Sequence, residues 1–178
     1  MWPNWFRPRP EKAIGKALYA HIVQAARQPV LYGEAAVPDT LEGRLELILL
    51  HAALTIRTLR RDGGEPGRAV SQVVFDTMFE DFDIAMRELG LGDSGVGKKI
   101  RFMAEGFYGR AQSYDSALEA DEAGALELAL SRNLLASEDI DPRASALAGH
   151  VLAVQAALEA AGGGAMAQGD LPDFPSSR

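Results

Sequence analysis

Residues 75–110 read FDTMFEDFDIAMRELGLGDSGVGKKIRFMAEGFYGR, and the first half of this stretch decides the fold. Apolar residues at positions 75, 78, 79, 82, 85, 86 and 89 recur at intervals of three and four. That spacing forms one face of an α-helix, whereas a half-buried strand would alternate apolar and polar residues. We therefore predict a helix that runs up to the glycines at the centre of the stretch.

The glycine-rich centre, Gly92 to Lys98, reads GDSGVGK and matches the spacing of a phosphate-binding loop. Such a loop needs a serine or threonine next, to bind magnesium, but Lys99 stands there. It also needs a strand immediately before it, and the helical spacing excludes one. We therefore expect a connector between two helices, and a nucleotide hydrolase finds no support.

The same periodicity continues outward along the chain, and no run of alternating β-branched residues predicts a strand. Pro29 ends the first helix, Thr40 is placed to cap the second, and Gly63 with Gly64 ends it. We predict an all-α, single-domain bundle of about six helices. They cover approximately residues 11–28, 41–62, 68–89, 96–118, 123–135 and 142–161.

Both ends differ in composition from the predicted helical domain of residues 11–161. The proline-rich residues 1–10 and the glycine- and proline-rich residues 162–178 are predicted to be flexible. The first segment also carries aromatic rings beside cations, which suits a membrane interface as an alternative. Those residues are Trp2, Trp5, Phe6, Arg7 and Arg9.

Composition limits the possible functions. The 178 residues include no cysteine, which excludes disulfides, thiol nucleophiles and cysteine-bound metals. The formal net charge of −7 disfavours broad binding to nucleic acid phosphates, and we expect no specific DNA binding. No apolar run approaches the roughly 20 residues of a membrane-spanning helix, and the N-terminus resembles neither an export signal nor a transit peptide. We expect a cytoplasmic protein.

Polar clusters give little reason to predict an enzyme. Asp76, Glu80 and Asp83 share a helix face, and a carboxylate-rich metalloenzyme centred on them is one alternative. An intrahelical pair between Asp83 and Arg87 on a solvated face explains the same spacing. The histidines, at positions 21, 51 and 150, lie on three predicted helices with no spacing that pairs them. We expect no catalytic residue, no bound metal and no cofactor.

Aromatic and methionine side chains recur on the third and fourth predicted helices, and a core accounts for most of them. An exposed apolar groove is the alternative, because methionine adapts to varied partners. After the glycines the charge changes sign, and Lys98, Lys99 and Arg101 open the fourth helix. Such a basic group could contact ribosomal RNA or anionic lipid headgroups, or be simply solvated.

Three ordered segments resemble the ubiquinol–cytochrome c chaperone family. They are VPDT with GRLELILLH at residues 37–51, QVVFDTMFEDFDIAMRELGLGD at 72–93 and VGKKIRFMAEGFYGRAQSY at 96–114. The resemblance implies a non-catalytic helical chaperone, and because the N-terminus does not resemble a transit peptide, we expect a bacterial member. Its client would be newly made cytochrome b of respiratory complex III, protected until haem insertion and assembly. Members in mitochondria act with a small partner subunit at the ribosome, and the need for one here stays open.

On that resemblance we assign hypothetical sites. A client-binding role is given to eight side chains: Phe75, Met78, Phe79, Phe82, Met86, Met103, Phe107 and Tyr108. A membrane or ribosome contact is given to Lys98, Lys99, Arg101 and Arg110, which would place the protein at the inner face of the bacterial inner membrane. An adaptor for some other amphipathic helix is a further alternative.

Overall fold

The structure is a computed structural model that describes residues 10–90, 92–120 and 122–175. Helices dominate these ranges, which contain no strand, only an isolated bridge between Tyr32 and Val37. The predicted all-α class is confirmed. The helices are α1 (Pro10–Ala26), α2 (Leu41–Asp62), α3 (Gly64–Glu88), α4 (Asp93–Glu119), α5 (Ala125–Leu134), α6 (Ala144–Ala161) and α7 (Gly163–Met166).

The predicted N-terminal segment, residues 1–10, lies outside the described residues except for Pro10, the first residue of α1. Its flexibility and its possible contact with lipid therefore stay predictions. The sequence signals at the next helix are confirmed. The Thr40 side chain accepts a hydrogen bond from the Gly43 N–H (3.1 Å) and caps α2, and Gly63 follows the last residue of that helix.

Two helices begin earlier than the sequence pattern predicts. Helix α3 starts at Gly64 because Pro66 lies in its first turn, where the missing N–H would have no intrahelical partner. Helix α4 starts at Asp93, so most of the GDSGVGK sequence is the first turn and a half of a helix. Its backbone N–H groups from Gly97 onward therefore point into helical hydrogen bonds rather than towards a phosphate.

Helix α2 is the centre of the bundle and contacts every other helix of the described chain. From Leu47 to Ile56 each of its residues is buried. A helix buried on all sides must be covered by several neighbours. The faces of α3 and α4 that point inward therefore become core.

Helices α1 and α3 meet at a glycine. A Cβ atom on Gly15 would lie 2.5 Å from Cγ1 of Val73, closer than packed carbon atoms approach. The contact is reinforced one turn further along, where the Tyr19 hydroxyl donates to Asp81 (2.6 Å). Gly15 therefore sets the distance between the two helices.

The expected flexible C-terminal tail, residues 162–178, is packed in its described part. Met166 of α7 is fully buried, and Phe174 lies against the ring of His21 with centroids 5.1 Å apart. Two side chains hold the backbone of this segment, one from α1 and one from the residues just after it: His21 contacts the Pro172 carbonyl (2.6 Å) and Gln28 donates to the Pro175 carbonyl (2.7 Å). Its prolines keep it extended, and an extended strap needs no helical pattern in order to pack.

Helix α6 is long and apolar enough to cross a membrane by length and composition, which the sequence analysis did not anticipate. Its apolar residues are divided between two environments. Leu147, Val151, Val154 and Leu158 are buried in the bundle, whereas Leu152 is exposed. The buried stripe and the polar Gln155 and Glu159 are typical of a core helix in a water-soluble bundle.

Candidate functional site

Most of the predicted client-binding side chains are part of the core. Five of the eight are at most 7 % exposed, so they offer almost no surface in this structure. Their burial follows from the position of α2, which α3 and α4 cover from two sides. For these five, contact with a client would require α3 and α4 to separate. They are Met78, Phe79, Phe82, Met86 and Phe107.

The remaining three of the eight reach the surface. Tyr108 is 58 % exposed, and its ring stacks on that of Phe75 with centroids 5.6 Å apart. Phe75 and Met103 are half-buried and pack on the edge of the core. The client-binding hypothesis therefore narrows to Phe75, Met103 and Tyr108.

A fourth apolar side chain that reaches the surface was not among the predicted site residues. Phe102 is 73 % exposed, the most of any large apolar side chain in the described ranges. It shares a helix face with Lys98 and Glu105, which are also exposed and lie four residues before and three residues after it. These polar neighbours are a signal in the sequence that Phe102 faces water. We use the name aromatic edge for Phe75, Phe102, Met103 and Tyr108.

The predicted basic group divides in the same way. Lys98, Lys99 and Arg101 are exposed on the first turns of α4. Arg110 is instead held by Glu46 of α2 through two hydrogen bonds, from Nε to Oε2 (2.7 Å) and from Nη2 to Oε1 (2.6 Å). The Arg110 side chain is 29 % exposed and that of Glu46 is 19 % exposed.

The environment of Glu46 explains why Arg110 is needed there. Burial raises the pKa of Glu46, and the guanidinium of Arg110 opposes that shift. A half-buried carboxylate with a bidentate arginine is a structural pair between α2 and α4. The predicted membrane or ribosome contact therefore narrows to Lys98, Lys99 and Arg101.

The acidic face of α3 is held by local contacts. Arg87 donates to Asp83 (2.6 Å), as the four-residue spacing predicts, and Gln72 donates to Asp76 (2.8 Å). Glu80 is exposed beside them. Within residues 10–90, 92–120 and 122–175, no three acidic or histidine side chains converge in the geometry of a metal site.

The structure brings together histidines that the sequence keeps far apart. Nε2 of His51 lies 3.1 Å from Nε2 of His150, and Phe174 contacts both His51 and His21. His51 is fully buried, and burial lowers its pKa to about 4. Burial also lowers the pKa of His150. No spacing in the sequence could indicate this cluster, because its members lie on α1, α2 and α6 and in the C-terminal segment.

The arrangement on α3 and α4 is therefore an apolar and aromatic edge with cations at one end. It presents surface for packing and for electrostatic attraction, and its members are not arranged as a base beside a nucleophile. Such a surface is suited to binding another apolar segment.

Comparison with known proteins agrees with the resemblance in the sequence. The sequence model of the family described as "Ubiquinol-cytochrome C chaperone" matches residues 34–174. The crystal structure of the Cbp3 homolog from Brucella abortus superimposes with a TM-score of 0.79 and 38 % sequence identity, covering 91 % of this chain and 89 % of that one.

Two curated relatives are more distant. Ubiquinol-cytochrome-c reductase complex assembly factor 1 of Xenopus laevis is 25 % identical over 132 residues, and the mouse protein of the same name is 24 % identical over 132 residues. The alignments cover 74 % of this chain but only 65 % and 44 % of those two proteins. With a family match over most of its length and a shared helical fold, this chain belongs to the ubiquinol-cytochrome C chaperone family.

Proposed function

We propose that this protein is a non-catalytic assembly factor of the ubiquinol–cytochrome c reductase complex and that its client is newly made cytochrome b. The observation that carries the proposal is the family match over residues 34–174, together with two relatives named as assembly factors of that complex. A chaperone for a membrane protein needs an apolar surface on a stable scaffold, and it needs no reactive group. The buried core and the aromatic edge meet that requirement.

The aromatic edge is the proposed client contact. Phe102 and Tyr108 lie six residues apart on α4, so their Cα atoms are about 9 Å apart along the helix axis. At 3.6 residues per turn the two rings also point to sides of α4 about 120° apart, so each can contact a different part of a client, since aromatic side chains bury a large area at a low cost in conformational entropy.

The exposed cations on the first turns of α4 are the proposed membrane or ribosome contact. On a helix with 100° per residue, Lys98 and Lys99 lie on either side of the Phe102 direction, within about 60° of it, and Arg101 lies about 100° away. That combination is favourable at the surface of an anionic membrane. It supports a location at the inner face of the bacterial membrane, where a nascent membrane protein emerges.

Site-specific photocross-linking tests the client and the surface together. A photoreactive amino acid placed at position 102 or 108 of the full chain is expected to form a cross-link to cytochrome b during its synthesis. Leu152 of α6 is a matched control, because it is 55 % exposed and lies on another helix. Equal yields from all three positions, or products without cytochrome b, would contradict the proposal.

A Lys98→Glu, Lys99→Glu, Arg101→Glu variant tests the basic group. It should lose co-sedimentation with vesicles that contain anionic lipid or with ribosomes, while a Lys12→Glu, Lys16→Glu, Arg27→Glu variant, which reverses three exposed cations elsewhere, keeps it. Unchanged co-sedimentation of the first variant would remove this role.

A further inference from the structure

A groove of about 550 Å³ lies between α2 and α4, on the side of Tyr108 away from Phe102. Its floor consists of small or nearly covered apolar side chains, Ala53 and Ile56 of α2 and Ala111 of α4. A floor of small residues lets the backbone of another helix approach closely. Tyr108 and Gln112 form one wall, and the arginines at the end of α2 form the other.

Of the three arginines that line this groove, one is engaged in ion pairs within the protein and two can pair with a partner. Arg57 is 13 % exposed and is paired with Asp115 and Glu119 of α4, which tie the far end of the groove together. Arg60 and Arg61 are exposed and form no ion pair with any residue that the structure describes. The open rim of the groove is therefore positive.

That local charge is opposite to the charge of the whole chain. The protein carries a formal net charge of −7, so a negatively charged partner is repelled on average. At this groove the lining holds three arginines against two carboxylates, Asp115 and Glu119, and both carboxylates are engaged by Arg57. An acidic partner is therefore attracted to this site and disfavoured over most of the remaining surface.

The dimensions of the groove favour a helical partner. On α4 the lining extends from Tyr108 to Glu119, which at 1.5 Å per residue is about 16 Å, or three turns. A helix of that length presents apolar side chains at positions i, i+3 or i+4, and i+7. An extended peptide would gain no backbone hydrogen bonds from the groove, since the backbone groups of both walls are already paired within helices.

We infer that the groove between α2 and α4 binds an amphipathic helix of a partner protein that carries carboxylates beside its apolar face. The apolar side of that helix lies on Ala53, Ile56 and Ala111, its edge contacts Tyr108, and its carboxylates pair with Arg60 and Arg61. The inference does not depend on cytochrome b as the client, because it rests on the shape and charge of the groove.

A pair of matched peptides tests the inference with the full chain. The probe is a labelled helical peptide of about 15 residues with leucines at the spacing given above and glutamates flanking them. The comparison peptide has lysine at every glutamate position. We expect the acidic peptide to bind and the basic peptide to bind at least about tenfold more weakly, with the affinity of the acidic peptide falling as salt rises.

Two variants with the same change in net charge test whether the acidic peptide binds at this groove. Arg60→Glu with Arg61→Glu should weaken the acidic peptide at least about tenfold, and Tyr108→Ser should weaken it as well. Lys12→Glu with Lys16→Glu changes the net charge equally on exposed residues of α1 and should have little effect. Circular dichroism confirms that each variant is folded.

Three outcomes would overturn the inference: equal binding of both peptides, no binding of the acidic peptide, or equal losses in the two charge-reversal variants. Phosphatidylglycerol vesicles provide one more outcome. If they bind the protein through Arg60 and Arg61 while the acidic peptide does not bind, the groove is a lipid contact and the inference is wrong.

Discussion

Nε2 of His51 lies 3.1 Å from Nε2 of His150, across the contact between α2 and α6. Nδ1 of His51 lies 2.8 Å from the Leu47 carbonyl, which can only accept, so this nitrogen carries the proton. His51 therefore accepts at Nε2, and His150 donates there. With both rings neutral, each of these hydrogen bonds has one donor and one acceptor. A second proton on His51, at Nε2, would place two N–H donors face to face in a buried space.

We predict that this pair makes the protein sensitive to mild acid. The pKa of His51 is lowered to about 4 by burial, whereas an unfolded chain has a histidine pKa of about 6.5. The unfolded state therefore binds a proton that the folded state excludes, and the contribution to stability is complete above about pH 6.5 and lost as pH falls towards 4. The loss amounts to roughly 3 kcal/mol, measured by urea unfolding between pH 8 and 4.

A His51→Leu variant provides the control for the acid effect. It should be less stable at pH 8, because His150 loses its acceptor, and its stability should depend less on pH between 6.5 and 4. If the variant and the parent chain lose the same free energy over that range, another group is responsible.

The ring of Phe174 should anchor the C-terminal strap. It is 8 % exposed and contacts His21 and His51. Phe174→Ala is expected to lower the free energy of unfolding by about 3 kcal/mol, and hydrogen exchange should then be faster at residues 166–175. Leu171→Ala, at a side chain that is 48 % exposed, should cost much less. A strap that matters little to stability would give equal values for the two variants.

The pair between Glu46 and Arg110 should be structural. Arg110→Ala leaves a half-buried carboxylate without its partner, and we expect a loss of about 1–2 kcal/mol in the free energy of unfolding. Arg101→Ala removes an exposed cation of the same helix and should change stability by less than about 0.5 kcal/mol. Chemical denaturation of the two variants measures the difference, and equal effects would contradict the structural role of Arg110.

Gly15 should not tolerate a side chain. Gly15→Ala would place a methyl group 2.5 Å from Cγ1 of Val73, so α1 and α3 must move apart, at a cost of about 1–3 kcal/mol. Gly109 of α4 is an opposite case, because an added Cβ meets nothing within 4 Å. Gly109→Ala should stabilise by about 0.5–1 kcal/mol through helix propensity, and thermal unfolding should separate the two variants in sign.

The periodicity of apolar residues predicts the all-α fold class, but it does not distinguish exposed from buried residues on α3 and α4. Phe107 and Tyr108 are neighbours in the sequence with similar rings, yet Phe107 is 2 % exposed and Tyr108 is 58 % exposed. The difference arises because α2 is buried on all sides and requires one face each of α3 and α4. Periodicity identifies a helix and its apolar face, but the width that neighbours cover depends on tertiary packing.

Contacts between residues far apart in the chain could not be predicted from the sequence, because they too depend on tertiary packing. Arg110 was assigned to a basic surface group from its neighbours, while its partner Glu46 lies 64 residues away. The histidine cluster depends on the contact between His51 and His150, 99 residues apart, and on a C-terminal segment with no periodic pattern of its own. The family resemblance, in contrast, could be recognised from three sequence segments in a fixed order, because it rests on residue identities rather than on contacts.

The central claim is that this chain is required to make cytochrome b. The most direct measurement is the haem b absorbance of reduced membranes after deletion of the gene, compared with the same strain complemented by the intact chain. Loss of cytochrome b and of the assembled complex, restored by the intact chain but not by a Phe102→Ser, Tyr108→Ser variant, is the predicted result. Normal cytochrome b and a normal level of the complex in the deletion strain would contradict the account.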